Sequence, residues 1–126
     1  MLIISKLYYH IFQDGKKVNE CLIKARRFAD FDMTINKNVC LYINLMNHLI
    51  YFKEKENDIN AILEIKKEQI EDLIELIKGH INNIKNNDQN NINNVEQYFL
   101  NTVNTLKKRN NHSNQNFKEF YQSINI

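Results

Sequence analysis

Apolar residues return every three or four positions along most of the chain, which predicts helices near residues 2–12, 16–31, 35–55, 59–80 and 93–109. In the first, the repeat is Leu2, Ile4, Leu7, Tyr8, Ile11 and Phe12; in the second it is Val18, Cys21, Leu22, Ala25, Phe28 and Ala29. The third helix carries two stripes. One is Ile35, Val39, Tyr42, Met46 and Ile50, and the other is Leu41, Leu45, His48 and Phe52. A helix that is apolar on two sides is packed between neighbours rather than laid against one of them. The fourth repeat runs Ile59, Ile62, Ile70, Leu73 and Ile77 and carries on weakly to Ile81 and Ile84, opposite a charged face that pairs Lys67 with Glu71. The fifth is Val95, Phe99, Val103 and Leu106, closing on Lys107, Lys108 and Arg109.

Polar residues at the junctions fit this division. Asp14, Thr34, and Asn57 or Asp58 are candidate N-caps for the second, third and fourth helices, and Asn93 with Glu96 has the spacing of a capping box for the fifth. Gly79 follows Lys78, as at a helix C-terminus, although the apolar spacing continues, so the fourth helix is expected to end somewhere in 78–84. The asparagine-dominated 82–94 reads as a loop, because asparagine side chains compete with helical backbone bonding. Residues 110–126 read as a flexible tail with an apolar end, "FYQSINI".

The fold class expected is all-α, with about five antiparallel helices in residues 1–109. Successive helix pairs span roughly 40 residues, the size of a HEAT-type unit. No internal repeat is visible in the sequence, and a closed bundle remains an alternative. Five helices with one doubly buried favour a stacked solenoid.

Composition narrows the function. The chain has 126 residues, no proline, only Gly15 and Gly79 as glycines, and a formal net charge of +2. So few turn formers cannot make a many-stranded sheet, and so small a charge sets up no strong overall field for nucleic acid or anionic membrane. Cys21 and Cys40 lack metal-ligand spacing and read as buried small hydrophobes in a reducing compartment. His10, His48, His80 and His112 are scattered without facing carboxylates. There is no glycine-rich phosphate loop and no nucleophile in a recognisable setting, so an enzyme is not expected, nor a cofactor or metal. Lys16, Lys17, Lys24, Arg26 and Arg27, with Lys107–Arg109, leave one alternative, a small basic helical domain that binds nucleic acid. The N-terminal apolar stretch, interrupted by Lys6 and His10, is too short to span a bilayer and poor as a signal peptide.

Three blocks carry a resemblance: "DGKKVNECLIKARRFADF" at 14–31, "LMNHLIYFKEKEND" at 45–58 and "YFLNTVNTLKKR" at 98–109. In order and approximate spacing, the chain resembles the C-terminal region of the retromer large-subunit family, vacuolar protein sorting-associated protein 35. Its last residues are also similar to that family's apolar, tyrosine-containing C-terminus. The resemblance implies the end of a HEAT-like α-solenoid that is cytoplasmic, peripheral on endosomal membranes as part of a complex, and reaches the membrane only indirectly. It implies a non-catalytic scaffold docking the small metallophosphoesterase-fold subunit of retromer, with self-association of the solenoid end, in endosome-to-Golgi and recycling transport of transmembrane cargo. The family's N-terminal portion has no counterpart here. The loop before Gly15 is shorter, and the asparagine-rich link at 82–94 replaces an acidic one.

No short motif of the family transfers residue by residue to a binding role. The second stripe of the third helix, Leu41, Leu45, His48 and Phe52, with Tyr98 on the fifth, is the candidate partner-binding set, its competing role being core between adjacent helices. A chain cut from a solenoid is also expected to expose Leu2, Ile4, Leu7 and Ile11 where a preceding layer would stack.

Overall fold

The computed structural model describes residues 2–8, 15–31, 35–54, 65–87, 92–109 and 115–124, and nearly all of them are helical. The elements are α1 (Leu2–Leu7), α2 (Gly15–Phe31), α3 (Ile35–Lys53), α4 (Lys67–Asn87), α5 (Ile92–Arg109) and α6 (Gln115–Ser123). Each helix packs on the next in chain order. The other main contacts skip a single helix, α3 to α5 and α4 to α6. Packing confined to near neighbours is the signature of a stack, and it decides against the closed-bundle alternative.

The doubly apolar α3 is the central beam. Val39, Tyr42, Ile43, Leu45, Met46, Leu49, Ile50 and Phe52 are all buried, on a helix in contact with α2, α4 and α5. Both stripes therefore reach core. From α2 come Val18, Cys21, Leu22 and Ala29, from α4 Ile70, Leu73, Ile74 and Ile77, and from α5 Val95, Phe99, Val103 and Leu106. Lys67 and Glu71 form the expected pair at 4.0 Å.

Several boundaries differ from the sequence expectation. The fourth helix does not run unbroken from residue 59: Ile65 and Lys66 precede α4 in non-helical backbone, and residues 59–64, with Ile59 and Ile62, lie outside the described residues. The start is set by Gln69, whose Oε1 accepts the Lys66 N–H at 2.8 Å while the Gln69 N–H donates to the Lys66 carbonyl at 3.1 Å. That is one arm of a capping box, with glutamine in the N3 role. Nor does α4 stop at Gly79. It runs on to Asn87 because Ile81 and Ile84 are buried, and two isoleucines at about 1.5–3 kcal/mol each outweigh the roughly 1 kcal/mol helix penalty of glycine. The supposed 82–94 loop is thus partly helix, and its residues 88–91 lie outside the described residues.

Asn93 lies inside α5 rather than at its cap, and Glu96 instead binds Lys85 Nζ at 2.8 Å, tying α5 to α4. The segment expected to be a flexible tail carries α6, anchored on α4 and α5 by buried Tyr121 and Ile124. The third helix ends at Lys53, two residues early, and Glu54 in the following turn accepts Arg109 Nη1 at 2.5 Å. Candidate caps Asp14, Thr34, Asn57 and Asp58, and the expected helical residues 9–12, lie outside the described residues.

Candidate interaction surface

Between the two buried flanks of α3 runs a narrow stripe that is only partly covered: Cys40, Leu41, Asn44, Asn47, His48 and Tyr51. Spacings of three and four put these side chains on one side of the helix. From Val39 to Phe52, α3 contains no lysine, arginine, aspartate or glutamate. The stripe is polar and aromatic without being charged.

Hydrogen bonds hold it in place. Tyr98 on α5 donates its hydroxyl proton to Asn44 Oδ1, and the Tyr98 hydroxyl oxygen accepts a hydrogen bond from Asn47 Nδ2 at 3.4 Å. His48 Nδ1 lies 2.8 Å from the Asn44 carbonyl. A carbonyl can only accept, so Nδ1 carries the proton and Nε2 is left as an acceptor. Burial of the ring pushes the His48 pKa below its ordinary value; the bond to Asn44 opposes that shift and the nearby Lys6 ammonium adds to it. At the α1 end Lys6 Nζ sits 4.8 Å from the centre of the Tyr51 ring, and Tyr51 meets Phe52 edge-on at 5.2 Å.

The five residues singled out from sequence divide in two. Leu45 and Phe52 are 3% and 0% exposed and belong to the core. Leu41, His48 and Tyr98 are partly exposed: Tyr98 joins the α3 face through Asn44 and Asn47, while Leu41 lies toward α1 and α2, lining one recess with Leu2, Ile3, Ala25 and Phe28. Asn44, Asn47 and Tyr51 complete that face. They escaped the sequence reading because it followed apolar residues, although 44, 47, 48 and 51 share a helical spacing that a search for polar stripes finds.

The cationic group on α2 is partly neutralised. Lys17 pairs with Glu20 at 3.5 Å, and Arg26 Nε pairs with Asp30 at 3.1 Å. Arg26 also lies over the ring of Tyr42, 5.5 Å from its centre. Tyr42 donates its hydroxyl to Asp30 at 2.5 Å and stacks on His80, 5.9 Å between ring centres. Burial, then the bond to the Asp30 carboxylate, pushes the Tyr42 pKa up to about 12. Cys21 and Cys40 are free, and burial raises both thiols, the opposite of what activates a nucleophile. Among the described residues no group of three or more His, Cys, Asp or Glu side chains could hold a metal ion, and no helix is long and apolar enough to cross a membrane. His10 and His112 lie outside the described residues.

The end of the stack has a different character. Ile3 and Ile4 on α1, and Ile23, Phe28 and Phe31 on α2, are exposed, Ile3 and Phe31 by 79%. Leu2, expected to be exposed, is half-covered, while the Leu7 side chain and Ile11 lie outside the described residues. An apolar end face is what a stacked-helix module presents to another layer.

Stacked helices, an ordered polar and aromatic stripe and an apolar end define a helical scaffold. Within that class, residues 1–80 match the family model of vacuolar protein sorting-associated protein 35, and the chain belongs to that family. It is therefore a non-catalytic scaffold of retromer-related vesicle trafficking. No solved structure matches the chain.

Proposed function

We propose that this chain docks the small metallophosphoesterase-fold subunit of retromer through the α3–α5 face, in the transport of transmembrane cargo from endosomes to the Golgi and cell surface. The observation that carries this reading is the Tyr98–Asn44–Asn47 network, which holds a tyrosine, a histidine and two asparagines in fixed positions on a partly exposed, uncharged surface. Tyrosine presents a large contact area at small entropic cost, and pre-ordered side chains lose little on binding. The chain then acts in the cytoplasm, on endosomal membranes only through its complex. The apolar end face of α1 and α2 suits a further helical layer, or self-association of the solenoid end.

The test is co-purification with the small subunit, followed by light scattering on the size-exclusion peak. The expected result is a one-to-one complex that survives moderate salt, and at least a tenfold loss of affinity for His48→Ala combined with Tyr51→Ala, the order of a single interface anchor. Wild-type affinity in that double variant, with helicity intact, would remove the α3–α5 face from the contact. Two separate peaks from well-folded partners would overturn the docking role of this chain.

A further inference from the structure

A backbone carbonyl decides what His48 can offer a partner. Its Nδ1 lies 2.8 Å from the Asn44 carbonyl oxygen, one helical turn back, and that oxygen can only accept. The neutral ring is therefore held in the Nδ1–H tautomer, with a lone pair on Nε2. Nε2 has no hydrogen-bond partner among the described residues, and it is not enclosed by them. The stripe thus carries an acceptor that the chain itself leaves unsatisfied, on a half-buried ring that cannot turn over without breaking its bond to Asn44.

The surroundings narrow the group that satisfies it. The charges acting on the ring are the Lys6 ammonium from α1 and the amino terminus, both positive, and α2, α4 and α5 add none of note. From α5, Tyr98 joins the same face with its hydroxyl already engaged by Asn44 and Asn47. One turn on, Tyr51 lies under the Lys6 ammonium and against the Phe52 ring. A cationic donor would meet that positive field, and an ionised carboxylate has no proton to give. What fits Nε2 is a neutral N–H or O–H, from a backbone amide, a side-chain amide, an indole or a hydroxyl.

We propose that His48 determines specificity at the α3–α5 face by accepting, at Nε2, a hydrogen bond from a neutral N–H or O–H of the docked partner. This deepens the docking role proposed above and rests on it. A partner that places an acidic group at that point is selected against near neutral pH, because the neutral ring cannot donate to it from Nε2. The bond also couples docking to pH. A proton taken up at Nε2 turns the acceptor into a donor, so the docked complex holds the ring neutral and binding weakens as pH falls through the His48 pKa. Burial keeps that pKa below its ordinary value of 6.5, so docking is at full strength near neutrality. An acidic partner group would give the opposite sign, since a carboxylate stabilises the protonated ring.

The first test is nitrogen nuclear magnetic resonance on the isotope-labelled full chain alone. At about pH 7.5 the His48 ring should carry its proton on Nδ1 and none on Nε2, and titration then gives its pKa. A proton on Nε2 at that pH overturns the proposal. The second test is calorimetric titration with the small metallophosphoesterase-fold subunit, from about pH 8 to about one pH unit below that pKa, with helicity checked by circular dichroism at each step. The expected result is constant affinity near neutrality and a loss of about tenfold at the lowest pH, as one linked proton requires. His48→Gln, which takes up no proton, should abolish that loss whatever its affinity at about pH 8. His48→Ala should bind about tenfold more weakly at about pH 8, because it leaves the partner's donor unpaired. Affinity that rises on acidification in the wild type but not in His48→Gln assigns an acidic group to the partner and overturns the proposal, as does a profile that His48→Gln leaves unchanged. Absence of any complex removes the docking role and this assignment with it, whereas a complex with a flat profile removes only the part given to His48.

Discussion

Phe52→Ala tests most directly whether the second stripe of α3 is core or contact. The ring is fully buried, at 0% exposure, and meets Tyr51 edge-on. Truncation to alanine removes about 2 kcal/mol of transfer free energy. A ring-sized void of roughly 80 Å³, at about 24 cal/mol per Å³, adds about 2 kcal/mol more if the surroundings do not collapse into it. The expected loss is therefore about 4 kcal/mol, within the usual 3–5 kcal/mol for such changes. At about 4 °C per kcal/mol for a chain of this length, the melting temperature should fall by about 15 °C, followed by far-ultraviolet circular dichroism. Phe52→Leu should cost about 1.5 kcal/mol or less, because most of the volume is kept. If Phe52 were a surface anchor, alanine would leave the melting curve within about 0.5 kcal/mol of wild type and weaken partner binding alone. That outcome would refute both the burial of Phe52 and the placing of α3 between its neighbours.

The other expectations are smaller. Gly79→Ala should stabilise the chain by about 0.5–1 kcal/mol, since the new methyl meets nothing within 4 Å and alanine is the better helix former; a lowered melting temperature would mean that α4 is not helical at this point. Tyr98→Phe should cost about 1 kcal/mol in denaturant unfolding, through loss of the hydroxyl that bridges Asn44 and Asn47, and a cost near zero would mean that the network is not formed in solution. His48 has a folded pKa below its unfolded value near 6.5, so its contribution to stability is complete above about pH 6.5. Below that pH the unfolded chain takes up a proton that the folded ring resists, and stability falls by at most about 1.4 kcal/mol per pH unit until the folded pKa is reached. His48→Gln should flatten that part of the pH profile, and an unchanged slope would show that the ring is not buried.

Where the sequence was legible, a strong period met a single decisive energy. The stripes of α2, α3 and α5 each carry several aliphatic side chains on one arc, and no local preference competes with their burial, so those helices stand close to their expected bounds. Where two weak signals met, local pattern did not decide the outcome. At Gly79 the terminal glycine and preceding lysine argued for a stop, while Ile81 and Ile84 argued for continuation, and only the presence of a surface to bury them could decide. Asn93 and Glu96 had capping-box spacing, but Glu96 found Lys85 on the neighbouring helix, a contact between residues eleven apart that no local pattern encodes. The tail illustrates the same point. Its two buried anchors, Tyr121 and Ile124, are too few to announce a helix and become meaningful only against α4 and α5. The candidate surface was half legible: the stripe containing Leu41 and His48 was found from its spacing, but a hydrophobic period cannot say which of its members face a neighbouring helix and which face solvent.

The central position of α3 gives one helix two tasks, a buried core on one arc and a partly exposed stripe on another. Leu45 and Leu49 are buried in the core, while Asn44, Asn47 and His48, on another arc of the same two turns, belong to the partly exposed stripe. A shift of α3 by one residue would turn each position through about 100° and carry asparagines into the core and leucines onto the surface. Core and stripe thus depend on one register, and that register is held by Phe52, Met46 and Ile43, each fully buried. Loss of partner binding can consequently arise in two ways. Removing Phe52 loosens the beam and should weaken partner binding together with the melting temperature. Removing His48 and Tyr51 should silence the α3–α5 face and leave the fold intact, so partner binding and one melting curve together identify which kind of residue has been lost.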